Sequence, residues 1–323
     1  MLLKKLFLSF VISLLILFNV TSIYATDVYL GGESVGIVLN YDGVLITGAY
    51  EINYKNQKYN PFTDFQLYDI ITEADNQKIA SIQELSEIIT KSDDSVKVTV
   101  KRQDHNVNIN MKIARENEDF TTGLYVKDSV KGIGTVTYYN PETGNLACLG
   151  HSMTDENNQY LQTGALYSTV IENIKKSTKL EVGKKIGSIK DEKIGDINTN
   201  NDFGIFGHYQ TELQNKTLYQ TASQDEIELG DAYFLTVLDN NTVTKCQIEI
   251  TSLEKQEDIK EKGIHFKLTD AKIIEQTNGI VQGMSGSPII QNNKLIGCVT
   301  HAATNSNQEG YGMYIEWMLN KES

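Results

Sequence analysis

The stretch Gly279–Ile290, GIVQGMSGSPII, places two serines among three glycines and a proline, between two short apolar runs. Glycines in this number let backbone N–H groups approach a bound group closely. A serine hydroxyl in such a loop becomes a nucleophile when a neighbouring base takes its proton. It also needs N–H donors for the oxyanion that it creates, and losing one donor costs about 3–4 kcal/mol of transition-state stabilisation. The stretch is therefore a candidate acyl-transfer centre.

The core of this stretch, GMSGSP, resembles the nucleophile loop of chymotrypsin-like proteases, Gly-x-Ser-Gly-Gly/Ser-Pro. In that loop the oxyanion donors are the N–H groups of the serine and of the glycine two residues before it. Carried over to this sequence, Ser285 is the predicted nucleophile, and Gly283 and Ser285 form the predicted oxyanion hole. The alternative is a glycine–serine turn without a catalytic role, so the prediction depends on a base and an acid elsewhere.

The base must come from five histidines. His105 is predicted at a hairpin tip and His265 inside a strand, while His208 and His301 have no distinctive setting. His151 ends the buried-strand pattern NLACLGHS, which is how the chymotrypsin-like fold presents its base. We therefore predict that His151 is the general base.

The third residue of such a site orients the imidazole and supports its charge. The sequence offers four candidates: Asp155, Asp231, Asp239 and Asp270. Asp155 follows His151 closely, and Asp270 ends the strand-like IHFKLTD on the approach to the serine loop. Spacing alone does not choose between them.

The composition limits the classes of partner. The chain has 323 residues, 40% of them hydrophobic, which is enough for about two domains with a real core. Its net charge is −13, and no basic cluster follows Arg115. Because nucleic acids and anionic membranes attract basic patches, both are disfavoured as partners. No motif points to a cofactor, and we expect none.

The three cysteines, Cys148, Cys246 and Cys298, lie in apolar strand-like runs and have no CxxC spacing. They are too few for a disulfide framework and do not indicate a zinc site or other metal site. Buried free thiols are the default expectation. A Cys148–Cys298 bridge stays open, because both residues are predicted near the candidate site.

The N-terminus is typical of an export signal. Two lysines precede an unbroken apolar run from Leu6 to Phe18, and small residues end at Ala25. Residues 1–26 are therefore predicted to be a signal peptide or a membrane anchor. Both cleavage after Ala25 and retention as an anchor are open, and either outcome exports the rest of the chain.

Residues 27–116 are predicted to form a small α+β domain. SIQELSEIITKS has helical apolar spacing, with Ser81 as N-cap and Glu84 completing a capping box. SVKVTVKRQDHNVNINMKI alternates around a polar tip, which predicts a hairpin. Strands, one helix and a closing hairpin resemble a PDZ domain, although Tyr68 and Gln77 replace two usual glycines. The alternative is an unrelated small α+β domain.

Residues 117–323 consist of short alternating strands separated by turn signals such as NPETGN and QNNK. This pattern predicts antiparallel barrels or a sandwich pair. Together with the GMSGSP loop, it predicts a mainly β chain: a PDZ-like α+β domain followed by a chymotrypsin-like antiparallel double β-barrel.

The chain after the signal resembles the SpoIVB peptidases of endospore-forming bacteria. Five stretches carry the likeness: GIGTVTYYNPETG, LACLGHSMTD, IGDINTNNDFGIFG, GIVQGMSGSPIIQNNKLIGCVTHA and GYGMYIEWML. The resemblance implies a triad of His151, Asp270 and Ser285, and so selects the acid that spacing leaves undecided. It also implies a PDZ carboxylate-binding loop in SVGIV, which comprises Ser34, Val35, Gly36, Ile37 and Val38.

The resemblance implies a function as well. SpoIVB-type peptidases are exported from the forespore into the space between two membranes and cleave themselves in trans. They then cut the extracytoplasmic part of a membrane-bound sporulation regulator, which releases processing of pro-sigma-K. Cleavage-site preference and oligomeric state do not follow from the sequence.

Two hypotheses of other kinds compete with a serine endopeptidase. One is a PDZ-bearing adaptor whose protease-like domain is catalytically silent. The other is a cysteine hydrolase that uses Cys148 or Cys298, although Cys148 lies too close to His151 on one strand end to pair with it easily.

Overall fold

The computed structural model describes residues 26–116, 119–210, 212–213 and 216–322. The predicted export signal lies outside these residues, apart from Thr26. Within the described ranges, no helix combines the length and the apolar character needed to cross a membrane.

The chain is mainly β, as predicted. The strands of its N-terminal part are β1 (Asp27–Leu30), β2 (Ser34–Ala49), β3 (Ile52–Tyr54), β4 (Gln57–Tyr59), β5 (Ile70–Ala74), β6 (Gln77–Lys78), β7 (Ser95–Arg102), β8 (His105–Lys112), β9 (Ala114–Glu116) and β10 (Asp119–Thr121). The strands that follow are β11 (Leu124–Asn140), β12 (Asn145–Cys148), β13 (Gly164–Lys175), β14 (Gly183–Asn201), β15 (Gly204–Tyr209) and β16 (Leu218–Gln220).

The last third of the chain adds β17 (Gly230–Asp239), β18 (Thr242–Leu253), β19 (Ile264–Leu268), β20 (Val281–Gln282), β21 (Pro288–Gln291), β22 (Lys294–Ala302) and β23 (Glu309–Tyr314). Helices are short: α1 (Ile82–Lys91), α2 (Ala271–Thr277) and α3 (Ile315–Leu319), with 3₁₀ turns at Pro61–Thr63 and Gln224–Glu226.

Six antiparallel strands close the first barrel in the order β2, β11, β12, β15, β14 and β13, with β13 pairing back onto β2. Its interior is filled by alternating apolar side chains, among them Ile37, Val136, Leu146 and Ile205, all of which are buried. Because the ring is closed, each of its strands pairs with a neighbour on both sides.

The second barrel closes in the order β17, β18, β19, β23, β22 and β21, again antiparallel throughout. Phe234 and Phe266 lie at its centre with ring centroids 6.2 Å apart. Two consecutive antiparallel barrels confirm the predicted double-barrel architecture.

The PDZ-like unit is a sheet formed by the second half of β2 with β5, β7 and β8, covered by α1. The helix begins where the sequence predicts, because the Ser81 hydroxyl accepts from the Glu84 N–H at 3.2 Å. The Glu84 carboxylate accepts from the N–H of Ala80, one residue before the cap. Leu85 and Ile89 are buried against the sheet, as the helical spacing requires.

β2 and β11 are long enough to belong to both units. The first half of β2 pairs with β11 in the barrel wall, from Ser34 opposite Thr135 to Asn40 opposite Ser129. After a shift in register, the second half pairs with the beginning of β11, where Ala49 lies opposite Leu124. The PDZ-like sheet and the first barrel are therefore joined through the same two strands, which pair in both units on either side of an irregularity.

Candidate active site

A cleft of about 430 Å³ holds the predicted nucleophile and the predicted base in its walls. Its lining residues are Ile37, Gly132, Ile133, Leu149, His151, Met153, Val182, Ile280, Val281, Gln282, Gly283, Ser285, Val299, Thr300, His301 and Ala302. His151 follows β12 of the first barrel, and Ser285 lies in the loop between β20 and β21, shortly before β21 of the second barrel begins. The fold thus brings together two residues that are far apart in sequence.

The serine loop needs its glycines for two reasons. Gly283 and Gly286 have φ values of +95° and +88°, a region that side chains rarely adopt. In addition, a Cβ on Gly286 would lie 2.1 Å from the carbonyl oxygen of Thr135, so any side chain would force the loop away from β11. The sequence pattern that suggested a closely held backbone segment has this physical origin.

Hydroxyls and an amide of β11 hold the loop in place. The Thr135 hydroxyl donates to the Gly283 carbonyl at 2.7 Å, and its N–H donates to the Ser285 carbonyl at 3.0 Å. The Thr137 hydroxyl donates to the Gly286 carbonyl at 2.7 Å. All three bonds are made by the first barrel, so the position of Ser285 depends on contact between the barrels.

Ser285 and His151 each hydrogen-bond a backbone carbonyl in this conformation. The Ser285 hydroxyl donates to the Thr300 carbonyl at 3.0 Å, and Nδ1 of His151 lies 2.7 Å from the Ser152 carbonyl. Because a carbonyl can only accept, Nδ1 must carry the proton, which leaves the lone pair of the neutral ring on Nε2. This is the tautomer that a general base for a serine requires.

Asp270 has hydrogen-bond partners other than His151. It is the N-cap of α2, and its carboxylate accepts from the N–H groups of Lys272 at 3.1 Å and Ile273 at 3.2 Å. The Nδ1 atom that a triad acid would hold bonds Ser152 instead. Aspartate is a preferred N-cap, which explains the placement. The orienting role implied by the resemblance is thus not supported by the position of Asp270.

The other candidate acids are Asp155, Asp231 and Asp239, and each has its own place in the fold. Asp155 accepts from the Tyr41 hydroxyl at 2.9 Å and from two N–H groups of its own loop. Asp231 and Asp239 lie near the two ends of β17.

A carboxylate that the sequence did not single out lies beside His301. Glu261 Oε2 lies 3.8 Å from His301 Nε2, and the rings of His301 and His151 are 5.4 Å apart. Burial raises the pKa of Glu261, the nearby His151 opposes this increase, and Asp202 adds to it. Asp202 accepts from the Tyr160 hydroxyl at 2.6 Å. Only tertiary structure assembles this group.

The sequence carries little signal for these residues. Asp202 lies in the turn between β14 and β15, where the stretch NTNNDFG suggests no more than a hairpin. Glu261 belongs to a charged loop, EKQEDIKEKG, that is typical of a solvated segment.

His301 is poorly suited to act as a base. Burial, together with the nearby His151 and Lys262, lowers the pKa of His301 to about 4. Its Nδ1 is buried and has no hydrogen-bond partner among the described residues. A ring that resists protonation cannot hold the proton that a serine releases, which favours His151 for this role.

The predicted carboxylate-binding loop lies inside a barrel wall. Ser34–Val38 form the beginning of β2, which pairs with β11 on one side and with β13 on the other. PDZ domains bind peptides by adding a strand to an exposed sheet edge. Both edges of this segment are already paired, so its position does not support the peptide-binding assignment in this conformation.

The cysteines are free and buried, which confirms the default expectation. Burial raises the pKa of the Cys298 thiol to about 12 and that of Cys148 still higher. Because the thiolate is the nucleophilic form, neither thiol is suited to attack. The structure thus argues against the cysteine hydrolase hypothesis.

The pKa of His301 predicts acid sensitivity. Between the unfolded value of 6.5 and the folded value of about 4, the unfolded chain binds a proton that the folded chain does not. Stability therefore falls as the pH drops through this window. We expect His301→Gln to lose less thermal stability than the wild type between pH 6.5 and pH 4, as measured by melting curves.

The matched control for this prediction is His105→Gln, which removes an exposed histidine at the hairpin of the PDZ-like unit. Its melting temperature should follow that of the wild type over the same pH range. Parallel curves for His301→Gln and the wild type would contradict the prediction.

Two family models match the chain. The model of the SpoIVB peptidase S55 family matches residues 118–319, and the PDZ domain model matches residues 38–113. No curated protein is significantly similar to the chain.

Solved structures similar to the chain include two of the Rv3671c protease. The active form, from M. tuberculosis, is 13% identical, with a TM-score of 0.37 over 59% of this chain and 72% of that chain. The inactive form is also 13% identical, with a TM-score of 0.35 over 58% of this chain and 81% of that chain.

Proposed function

The chain belongs to the SpoIVB peptidase S55 family and is a serine peptidase, and we propose that it is an endopeptidase in which Ser285 is the nucleophile and His151 the base. The observation that carries this assignment is the shared cleft, with Ser285 in one wall and His151 in another. The loop GMSGSP that carries the serine is held against the first barrel by Thr135.

The reaction begins when the Ser285 hydroxyl turns from the Thr300 carbonyl toward His151. Its oxygen attacks the scissile carbonyl carbon while its proton passes to Nε2 of His151. The N–H groups of Gly283 and Ser285 stabilise the oxyanion. The imidazolium then protonates the leaving amine as the C–N bond breaks, and water, activated by the same ring, releases the acyl group.

The cleft favours apolar substrate side chains. Among the described residues, its lining includes neither carboxylate nor lysine, and most of its lining residues are apolar, such as Ile37, Ile133 and Val182. A charged side chain bound there would lose its hydration without meeting a carboxylate or an ammonium group. We therefore propose that the bond cleaved is flanked by an uncharged, apolar residue.

The biological role that we propose follows the family resemblance. The chain is exported across the forespore membrane, and its N-terminal segment is either removed or kept as an anchor. Its substrates are a second copy of itself and the extracytoplasmic part of a membrane-bound sporulation regulator, whose cleavage triggers pro-sigma-K processing. The apolar run Leu6–Phe18 after two lysines supports export.

A catalytically silent adaptor is the alternative for the same pathway. It is less well supported, because a silent domain would have no need to keep Ser285 and the Nε2-basic tautomer of His151 in one cleft.

We expect Ser285→Ala to abolish self-cleavage, because no other hydroxyl occupies its place in the loop. Purified Ser285→Ala should stay intact on a gel and yield fragments only when wild-type protein is added. Ser86→Ala, on the PDZ helix, serves as the control and should be processed like the wild type. Identical fragments from Ser285→Ala alone would exclude Ser285 as the nucleophile.

A separate variant tests whether Asp270 orients His151. Asparagine caps a helix about as well as aspartate, so Asp270→Asn keeps α2 while removing the charge. From the capping role seen in the structure, we expect this variant to cleave within a few-fold of the wild-type rate. If a folded Asp270→Asn variant instead loses about 10⁴-fold in cleavage rate, Asp270 is the acid of the triad, as the resemblance implies.

A further inference from the structure

Lys185 is a buried lysine at the junction of the two barrels. It lies on β14 and is only 5% exposed. Its ammonium nitrogen is within hydrogen-bond distance of three hydroxyls, those of Ser34 at 3.0 Å, Thr135 at 3.1 Å and Thr236 at 2.8 Å. Among the described residues, no carboxylate forms an ion pair with it. The site is thus built from neutral acceptors around one amine.

The three hydroxyls connect both barrels. Ser34 and Thr135 belong to β2 and β11 of the first barrel, whereas Thr236 belongs to β17 of the second. The Thr135 hydroxyl uses its own proton to bond the Gly283 carbonyl, so it can only accept from Lys185. The result is a directed chain of hydrogen bonds from Lys185 through Thr135 to Gly283.

The aliphatic stem of Lys185 supports the same loop. A Cβ on Gly283 would meet Cδ of Lys185 at 2.9 Å and Cγ at 3.0 Å. The lysine stem therefore fills the space beneath Gly283, and the loop rests on it. Packing and hydrogen bonding from one side chain converge on the glycine of the predicted oxyanion hole.

A lysine at this place is costly for stability. Burial lowers the pKa of Lys185 to about 7, which measures how strongly the site disfavours a charge. An apolar side chain of similar length would avoid this penalty. A residue kept despite its cost indicates a role other than stability.

We propose that Lys185 is a positioning residue for the peptidase reaction: it orients the Thr135 hydroxyl and supports Gly283, and so fixes the loop that carries Ser285. This inference rests on the proposed function. A neutral amine keeps two donors, so the bond to Thr135 persists whichever way the amine is protonated. The contact with Thr236 makes the arrangement depend on correct docking of the second barrel.

The test uses a fluorophosphonate probe, which reacts as the Ser285 oxygen forms a bond to phosphorus, fluoride leaves and the proton passes to His151. The full chain is labelled, and kinact and KI are measured separately. We expect Lys185→Met and Thr135→Val each to lower kinact by at least about tenfold, because small displacements at an oxyanion site are costly. KI should change by less than about threefold, since the cleft that binds the probe stays intact.

Two variants serve as controls. Thr135→Ser keeps the hydroxyl and should retain most of the wild-type kinact. A purely steric role for Thr135 would give the reverse result, because valine has nearly the shape of threonine whereas serine lacks its methyl group. Lys193→Met removes an exposed lysine from the same strand and should label like the wild type. If Lys185→Met does not fold, the Thr135 pair decides alone.

The outcomes separate the inference from the function on which it rests. If the wild type is labelled and Ser285→Ala is not, but folded Lys185→Met and Thr135→Val keep the wild-type kinact, the positioning role is wrong and the function stands. If the wild type itself is labelled no faster than Ser285→Ala, both are overturned.

Discussion

The contact of the serine loop with β11 is the constraint on which the rest of the site depends. The loop lies between two strands of the C-terminal part of the chain, but Thr135 and Thr137 of the first barrel hold its carbonyls. Gly286 lies too close to β11 to carry any side chain. Because the proposed base also comes from the first barrel, the same interface that places the proposed nucleophile fixes its distance from His151. The site is divided between two barrels. It is held together by hydrogen bonds to the backbone carbonyls of the serine loop rather than by contacts between the side chains that line the cleft.

The PDZ-like unit is connected to the serine loop through two shared strands. β2 and β11 run from the PDZ sheet into the barrel wall, and β11 continues to the threonines that hold the serine loop. A displacement of the PDZ sheet along these strands would therefore reach Thr135 without crossing a flexible linker. Ser34–Val38 are paired on both edges, which leaves no free edge to which a peptide strand could add. The strand that the resemblance assigns to a ligand serves here as a structural wall.

Residues that share the cleft could be predicted where a local pattern marks them. The glycines of GMSGSP record a backbone constraint around Ser285, and His151 follows a buried strand; both residues line the cleft, and their catalytic roles stay predictions. A residue's place is hardest to predict where one residue type suits two roles. Asp270 precedes both a helix and the serine loop, and the N-cap role prevails because two adjacent N–H groups lie within reach of its carboxylate. Glu261 reaches the imidazoles only through the fold, so no spacing could have revealed it.

The held loop also determines what must move for attack. The carbonyls of Gly283, Ser285 and Gly286 are all occupied by donors from β11, so a change in the backbone of the loop would break several buried hydrogen bonds at once. Rotation of the Ser285 hydroxyl away from the Thr300 carbonyl breaks only one. The less costly route from this conformation to a reactive one is therefore a side-chain rotation on a fixed backbone. The proposed oxyanion donors would keep their places while the proposed nucleophile turns toward His151.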